Sequence, residues 1–297
     1  MLLSDPTLTH EYLPITGLPE FVSGAARLIL GQDSPAIADG RVVSVQTISG
    51  TGANHLAALF LSRYYQFNGD KVVYLSDPTW GTCLASPHLW VDFLEILRHT
   101  VNHFAIFENV GIKQRLYPYY DPKTIGLDYK GFIDTLQSAP ERSVFLLHAC
   151  AHNPTGVDPT EEQWKTIAGV FLAKKHYAFF DSAYQGFASG DLDRDATAVR
   201  HFISSGVPSL VCQVRSDKLS LTLNDFQMGS SQSFAKNAGL YGERVGALHI
   251  IAPNKETANR VRSQLSVLQR SEISNPPSYG ARVVSSVAVS SFYSVLT

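Results

Sequence analysis

Ser143-Val144-Phe145-Leu146-Leu147-His148 is a strand-length apolar run, and Tyr177-Ala178-Phe179-Phe180, closing on Asp181, is a second one. Between them, Thr160-Glu161-Glu162-Gln163 has the spacing of a capping box, and it opens a helical pattern that continues to Lys174. Strand, capped helix, strand is the unit from which α/β domains are built. The pattern repeats outward in both directions. On the N-terminal side, residues 20–30 and 53–65 predict helices, and 41–46 and 71–76 predict strands. A helix at 129–136 also lies on that side; on the C-terminal side, 196–204 and 256–269 predict helices or helical patterns, and 209–213 and 245–251 predict strands. Residues 117–121 predict an aromatic strand or loop, and 82–101 at most a short amphipathic helix. The expectation is an α/β fold with a mostly parallel sheet.

Composition narrows what such a domain does. The chain has 297 residues, 44% hydrophobic and 17% charged, with a net charge of -2. That suffices for one large domain or two smaller ones with a sizeable core. It gives no long-range attraction to nucleic acid or to an anionic membrane. No run of apolar residues reaches membrane-spanning length. The N-terminus carries no visible targeting signal. Cys83, Cys150 and Cys212 have no paired metal-ligand spacing and read as reduced thiols, so a cytoplasmic location and no metal site are expected. The expected partners are small molecules and other protein chains.

In parallel sheets ligands sit outside the carboxyl ends of the strands, and several chemically capable residues follow predicted strands. Ser49-Gly50-Thr51-Gly52 lies between a strand and a helix, where backbone N–H groups and two hydroxyls suit a phosphate; a plain helix cap by Ser49 or Thr51 is the alternative. It is neither a Walker loop nor a full dinucleotide fingerprint, which argues against nucleoside triphosphate and NAD. Trp80 follows the next strand as a stacking surface or a core residue. Asn153, in His152-Asn153-Pro154-Thr155-Gly156, is aimed by a tight turn. Asp181 ends an apolar strand, a costly place for a carboxylate without partners, and Tyr184 follows three residues later. Lys236 precedes Arg244 by eight positions; a neighbouring cation favours the neutral, nucleophilic amine, whereas a lysine in a polar turn is otherwise a solvated surface residue. Pro14 keeps Tyr12 on an extended arm.

A phosphate cradle, a stacking aromatic, an acid for a ring nitrogen, polar groups for a ring oxygen and a reactive lysine together describe a pyridoxal 5'-phosphate site. The chain resembles the fold type I aminotransferases, and within them the aspartate-transaminating group. The resemblance is carried in order by Glu11-Tyr12-Leu13-Pro14-Ile15, Ser49-Gly50-Thr51-Gly52, Asp77-Pro78-Thr79-Trp80, His152-Asn153-Pro154-Thr155-Gly156, Phe180-Asp181-Ser182-Ala183-Tyr184, Ser233-Phe234-Ala235-Lys236-Asn237, Tyr241-Gly242-Glu243-Arg244 and Ser274-Asn275-Pro276-Pro277. It implies a three-layer large domain. It also implies that Lys236 binds the cofactor covalently and shuttles a proton, that Asp181 pairs with the pyridine nitrogen, and that His103 supports Asp181. Asn153 and Tyr184 would hold the ring oxygen, Trp80 would stack on the ring, and Ser49, Gly50, Thr51, Ser233 and Arg244 would take the phosphate. Tyr12 and Arg270 would reach into a partner subunit's site, for the phosphate and for the distal carboxylate of the substrate, so a homodimer follows. The implied substrates are L-aspartate and 2-oxoglutarate, an amino acid and a 2-oxo acid.

Departures from the family pattern matter equally. Residues 1–17 are expected to be an arm segment and 18–287 the cofactor-binding large domain, interrupted by insertions at 82–101 and 214–232 and followed by a divergent tail at 288–297. Removing either insertion restores a family-like run, which points to translated intron sequence, with genuine lineage-specific loops as the alternative. The C-terminal small domain is missing from the sequence, with the arginine that clamps the substrate's α-carboxylate. The expectation is therefore impaired transamination, with a chain that binds the cofactor without turnover as the alternative.

Overall fold

The computed structural model describes residues 10–80, 102–207, 228–233 and 241–290. Its centre is a seven-stranded sheet. In chain order the strands are β1 (Val42–Ile48), β2 (Val72–Asp77), β3 (Lys113–Pro118), β6 (Val144–His148), β7 (Tyr177–Ser182), β8 (Met228–Ser233) and β9 (Val245–Ile251), while β4 (Tyr120–Asp121) and β5 (Gly126–Leu127) pair separately. The spatial order is β1-β9-β8-β7-β6-β2-β3. β3, β2, β6, β7 and β8 pair in parallel, and β9 runs antiparallel to both β8 and β1. The mostly parallel α/β expectation holds, and the reversal at β9 matters for the site.

Every residue of β6, β7 and β9 is buried. Such strands need cover on both faces, which helices provide. On one face α3 (Ser49–Tyr64), α4 (Asn102–Asn109) and α9 (Lys255–Glu272) pack with Val144, Leu146, Phe179 and Leu248. On the other, α1 (Pro19–Leu30), α5 (Tyr129–Ser138), α6 (Glu161–Lys174) and α8 (Thr197–Ser204) pack with Phe145, Leu147 and Phe180. The switch of face between Leu146 and Phe145, or Phe179 and Phe180, is the two-residue period of a strand. Three layers result. The predicted capping box is present: Gln163 N donates to Thr160 Oγ1 at 3.3 Å and Thr160 N donates to Gln163 Oε1 at 2.8 Å. Short helices α2 (Pro35–Ala38) and α7 (Leu192–Asp195) lie in connections, and α10 (Tyr279–Ser290) packs through Ala281 and Val284 on Phe21, Ala25 and Val245.

Three local differences from the sequence expectation stand out. The Ser/Gly/Thr turn is not a separate loop: α3 starts at Ser49, directly after β1, with Ser49 at φ +58°. Residues 102–109 form a full helix; 117–121, by contrast, take the expected strand form, spanning the end of β3 and all of β4. β8 is formed by Met228–Ser233, all but Ser233 within the expected insertion, whereas the predicted strand at 209–213 and the insertion at 82–101 lie outside the described residues. Among the described residues no helix is long and apolar enough to cross a membrane.

The extended segment before α1 is held by amides. Gln46 accepts from Leu18 N at 3.0 Å and donates to Pro277 O at 2.7 Å; Gln269 Nε2 donates to Ile15 O and Gln46 O at 2.6 and 2.8 Å. Gly17 crosses Gln46 so closely that a Cβ there would lie 2.2 Å from the Gln46 Cβ, which excludes any other residue.

Candidate active site

The carboxyl ends of β2, β6, β7 and β8 deliver Asp77, His148, Asp181 and Ser233 to one edge of the sheet. Because β9 is reversed, its beginning lies at that same edge, and Arg244 arrives there from the opposite chain direction. Ser49 N donates to Arg244 O at 3.0 Å, and Ser49 and Arg244 both take left-handed backbone angles, φ +58° and +49°. The start of α3 and the approach to β9 are thus locked together. Thr47 Oγ1 adds a bond to Ser49 O at 3.1 Å. Such a helix start offers N–H groups and the positive end of the helix dipole to an anion. The residue before this end of α3 is Ile48, which supplies no side-chain cap.

Asp181 is buried at the end of β7. His103, at the second position of α4, directs Nε2 at Asp181 Oδ2 from 3.2 Å, and Asn54 Nδ2 donates to the same oxygen at 3.2 Å. Burial by itself raises the Asp181 pKa, but the His103 hydrogen bond and charge, the nearby His148 and the Asn54 bond outweigh it and hold the carboxyl below the usual carboxylate value. Asp181 is therefore a charged group kept at a buried strand end. Asn54 lies five residues along α3 from Ser49, roughly 7–8 Å at 1.5 Å per residue. One helix thus supplies both the anion end of the site and a grip on its acid, a span suited to an aromatic ring bearing a phosphate.

His103 is itself fixed, with Thr79 Oγ1 2.8 Å from Nδ1 and Trp80 edge-on at 5.2 Å between ring centroids. Behind it runs a column of rings. His103 meets His148 edge-on at 5.5 Å, His148 stacks on His152 at 4.3 Å, and His152 stacks on Tyr119 at 3.8 Å. Ser76 and Thr155 hydroxyls lie 2.8 Å from the two nitrogens of His152. Burial, with His148 and His103 nearby, pushes the His152 pKa down to about 2, so the column's inner end is neutral. Asn153 follows His152 and leads into Pro154 through a cis peptide; its N–H donates to His148 Nδ1 at 3.0 Å and its Nδ2 to the Tyr184 hydroxyl at 3.4 Å.

The structure therefore gathers Asp181 with His103 and Trp80, joins Ser49 to Arg244, and pairs Asn153 with Tyr184. Gly50 is buried and Thr51 exposed on the first turn of α3. Ser233 is placed by the backbone pairing of β8 with Gly246. Lys236 lies outside the described residues. Tyr12 is 84% exposed on its arm, and Arg270 is exposed on the last turn of α9; neither is brought to Asp181 within the chain. Sequence reasoning missed Asn54, Thr79, His148 and His152. Asn54 had a signal: an amide between the apolar residues Ala53 and Leu56 on a helix predicted to face the core.

The family Aminotransferase class I and II matches residues 3–85 and 101–292. A cytoplasmic aspartate aminotransferase of Saccharomyces cerevisiae is 47% identical over 291 residues, covering 96% of this chain and 60% of the relative. A mitochondrial aspartate aminotransferase of Xenopus tropicalis is 45% identical over 285 residues, covering 96% and 57%. A crystal structure of an aromatic-amino-acid aminotransferase from Burkholderia pseudomallei, covalently bound to pyridoxal phosphate, superposes with a TM-score of 0.79 at 37% identity, covering 95% of this chain and 60% of that one. The chain thus spans about three-fifths of the length of the relatives it matches.

Proposed function

Because this chain belongs to the class I and II aminotransferase family, we propose that it binds pyridoxal 5'-phosphate and that the complete protein moves an amino group between L-aspartate and 2-oxoglutarate. The observation that carries the reading is Asp181, held charged at a buried strand end by His103 and Asn54, with the Ser49–Arg244 junction at the other end of the same stretch of α3. When bound, the cofactor supplies an electron sink that stabilises negative charge at the substrate α-carbon. Asp181 holds a proton on the ring nitrogen, and the His103 bond keeps that carboxylate in place. Ser49, Gly50, Thr51, Ser233 and Arg244 bind the phosphate. Trp80 covers a ring face, and Asn153 with Tyr184 orients the ring oxygen. Lys236 supplies the amine that attaches the cofactor and moves the proton at the α-carbon.

Tyr12 and Arg270 are both exposed, which suits a homodimer in which each chain lends both residues to the other. A cytoplasmic location is proposed on the chain's reduced cysteines, although relatives include both cytoplasmic and mitochondrial proteins. Residues 82–101, 214–232 and 288–297 are proposed to be translated intron sequence; that the family match leaves 86–100 unmatched supports this for the first of them. The second reading is cofactor binding without turnover.

One experiment separates the two. Borohydride treatment of the chain with pyridoxal phosphate fixes one cofactor per chain at Lys236, and Lys236→Ala abolishes it. Under the first reading aspartate converts the bound cofactor to its amine form; under the second the spectrum stays unchanged. Absence of fixation in the unmutated chain overturns both.

A further inference from the structure

The turn after α9 carries a device that the site residues do not explain. Asn275 Nδ2 donates to Leu13 O at 2.7 Å, and Asn275 Oδ1 accepts from Arg270 Nη1 at 3.1 Å and from Ser274 Oγ at 2.9 Å. Arg270 Nη1 also donates to Ser274 Oγ. One amide thus touches the residue next to Tyr12 on one side and the guanidinium of Arg270 on the other. We infer that Asn275 is a positioning residue that fixes the Tyr12 arm and Arg270 as a single unit. This rests on the proposed role of both residues in the second subunit's site.

The chemistry of the position supports the assignment. A guanidinium only donates and a carbonyl oxygen only accepts, so the residue between them must present an acceptor and a donor at once. A carboxylate lacks the donor and an apolar side chain lacks both. The same requirement fixes which way the amide points: a flipped Asn275 would set two donors and two acceptors against each other. The backbone is shaped for it, since Ser274 takes φ +66° and Asn275 N donates back to Ile273 O at 2.8 Å, turning the side chain toward the arm. Gln269 repeats the arrangement one residue before Arg270, donating to Ile15 O. The arm is therefore anchored at Leu13 and Ile15 from the end of α9, and at Leu18 from Gln46 in β1. Arg270 is exposed and has many rotamers in the free subunit; the bond to Asn275 removes much of that freedom before a partner arrives, and the same amide sets the height of Tyr12.

The test is a set of double-mutant cycles on the full chain, reading cofactor affinity by absorbance titration and dicarboxylate affinity by succinate-induced change in the bound cofactor's spectrum. Neither readout needs turnover. Asn275→Ala is expected to weaken both by about three- to tenfold, as for loss of one or two hydrogen bonds. Added to Tyr12→Phe it costs no further cofactor affinity, and added to Arg270→Ala no further succinate affinity. A general structural defect would instead add to both. If Asn275→Ala fails to fold, Asn275→Asp keeps the acceptor for Arg270 and loses the donor to Leu13, so cofactor affinity falls while succinate affinity persists. Full additivity, or loss of only one affinity in Asn275→Ala, overturns the coupling. If Tyr12→Phe and Arg270→Ala alone change nothing, the reading of those two residues fails, and the coupling with it.

Discussion

A buried carboxylate survives only with partners, and Asp181 has two on one oxygen. One of them, His103, was identified from sequence by family pattern. Asn54 was not, because periodicity marks it merely as a core-facing position and does not say which strand end lies opposite. The buried histidines make a separate statement. Burial holds His176 and His249 at about 4, and His152 at about 2, against an ordinary value of 6.5. As pH falls below 6.5 the unfolded chain takes up these protons and the folded chain does not. Stability is thus fully present above about 6.5 and drains away as pH drops toward 4, where His176 and His249 begin to protonate in the folded state. Each imidazole contributes up to about 1.4 kcal/mol per pH unit across that window. Thermal melts are expected to fall steadily from pH 6.5 to 4.5, and His249→Gln to make the slope shallower; a flat profile would contradict the neutral assignment.

At the scale of elements, the strand–helix alternation and the capping box followed from sequence, since a fully apolar strand and a 3.6-residue stripe are local signals, while the three layers came from the family resemblance. The reversal of β9 and the choice of strand for the slot between β7 and β9 are not local. In the structure Gly229 faces Phe179 and Ile250 across that slot, and Ser230 faces Phe180 and His249. Deleting 214–232 would join residue 213 to Ser233 and put Leu210 and Val211 in those positions instead. Flanking strands buried at every residue favour the apolar pair, each worth about 1.5–3 kcal/mol when fully buried. The deletion variant is expected to melt several degrees higher than the full chain, at roughly 2–4 °C per kcal/mol, and to bind cofactor at least as tightly. An unchanged or lower melting point would show that the present β8 is the native strand.

At the scale of the whole molecule, the proposed site takes Tyr12 for the phosphate and Arg270 for the substrate's distal carboxylate from a second copy. Sedimentation of the chain with pyridoxal phosphate is expected to show a dimer. Subunits carrying Lys236→Ala, mixed with subunits carrying Arg270→Ala, are expected to regain succinate binding at one site per mixed dimer: the Lys236 of one subunit is served there by the Arg270 of the other. A monomer at all concentrations would rule this out.

The bond from Ser49 N to Arg244 O joins the end of the first strand to the beginning of the last. In the sheet β9 lies between β1 and β8, so that junction closes only once β9 has docked beside β1. Contacts so distant along the chain form late and slowly. The proposed phosphate seat is accordingly a record of that docking: a nascent chain without β9 has the serine, the threonine and the helix, but not the Arg244 carbonyl that locks the start of the helix in place.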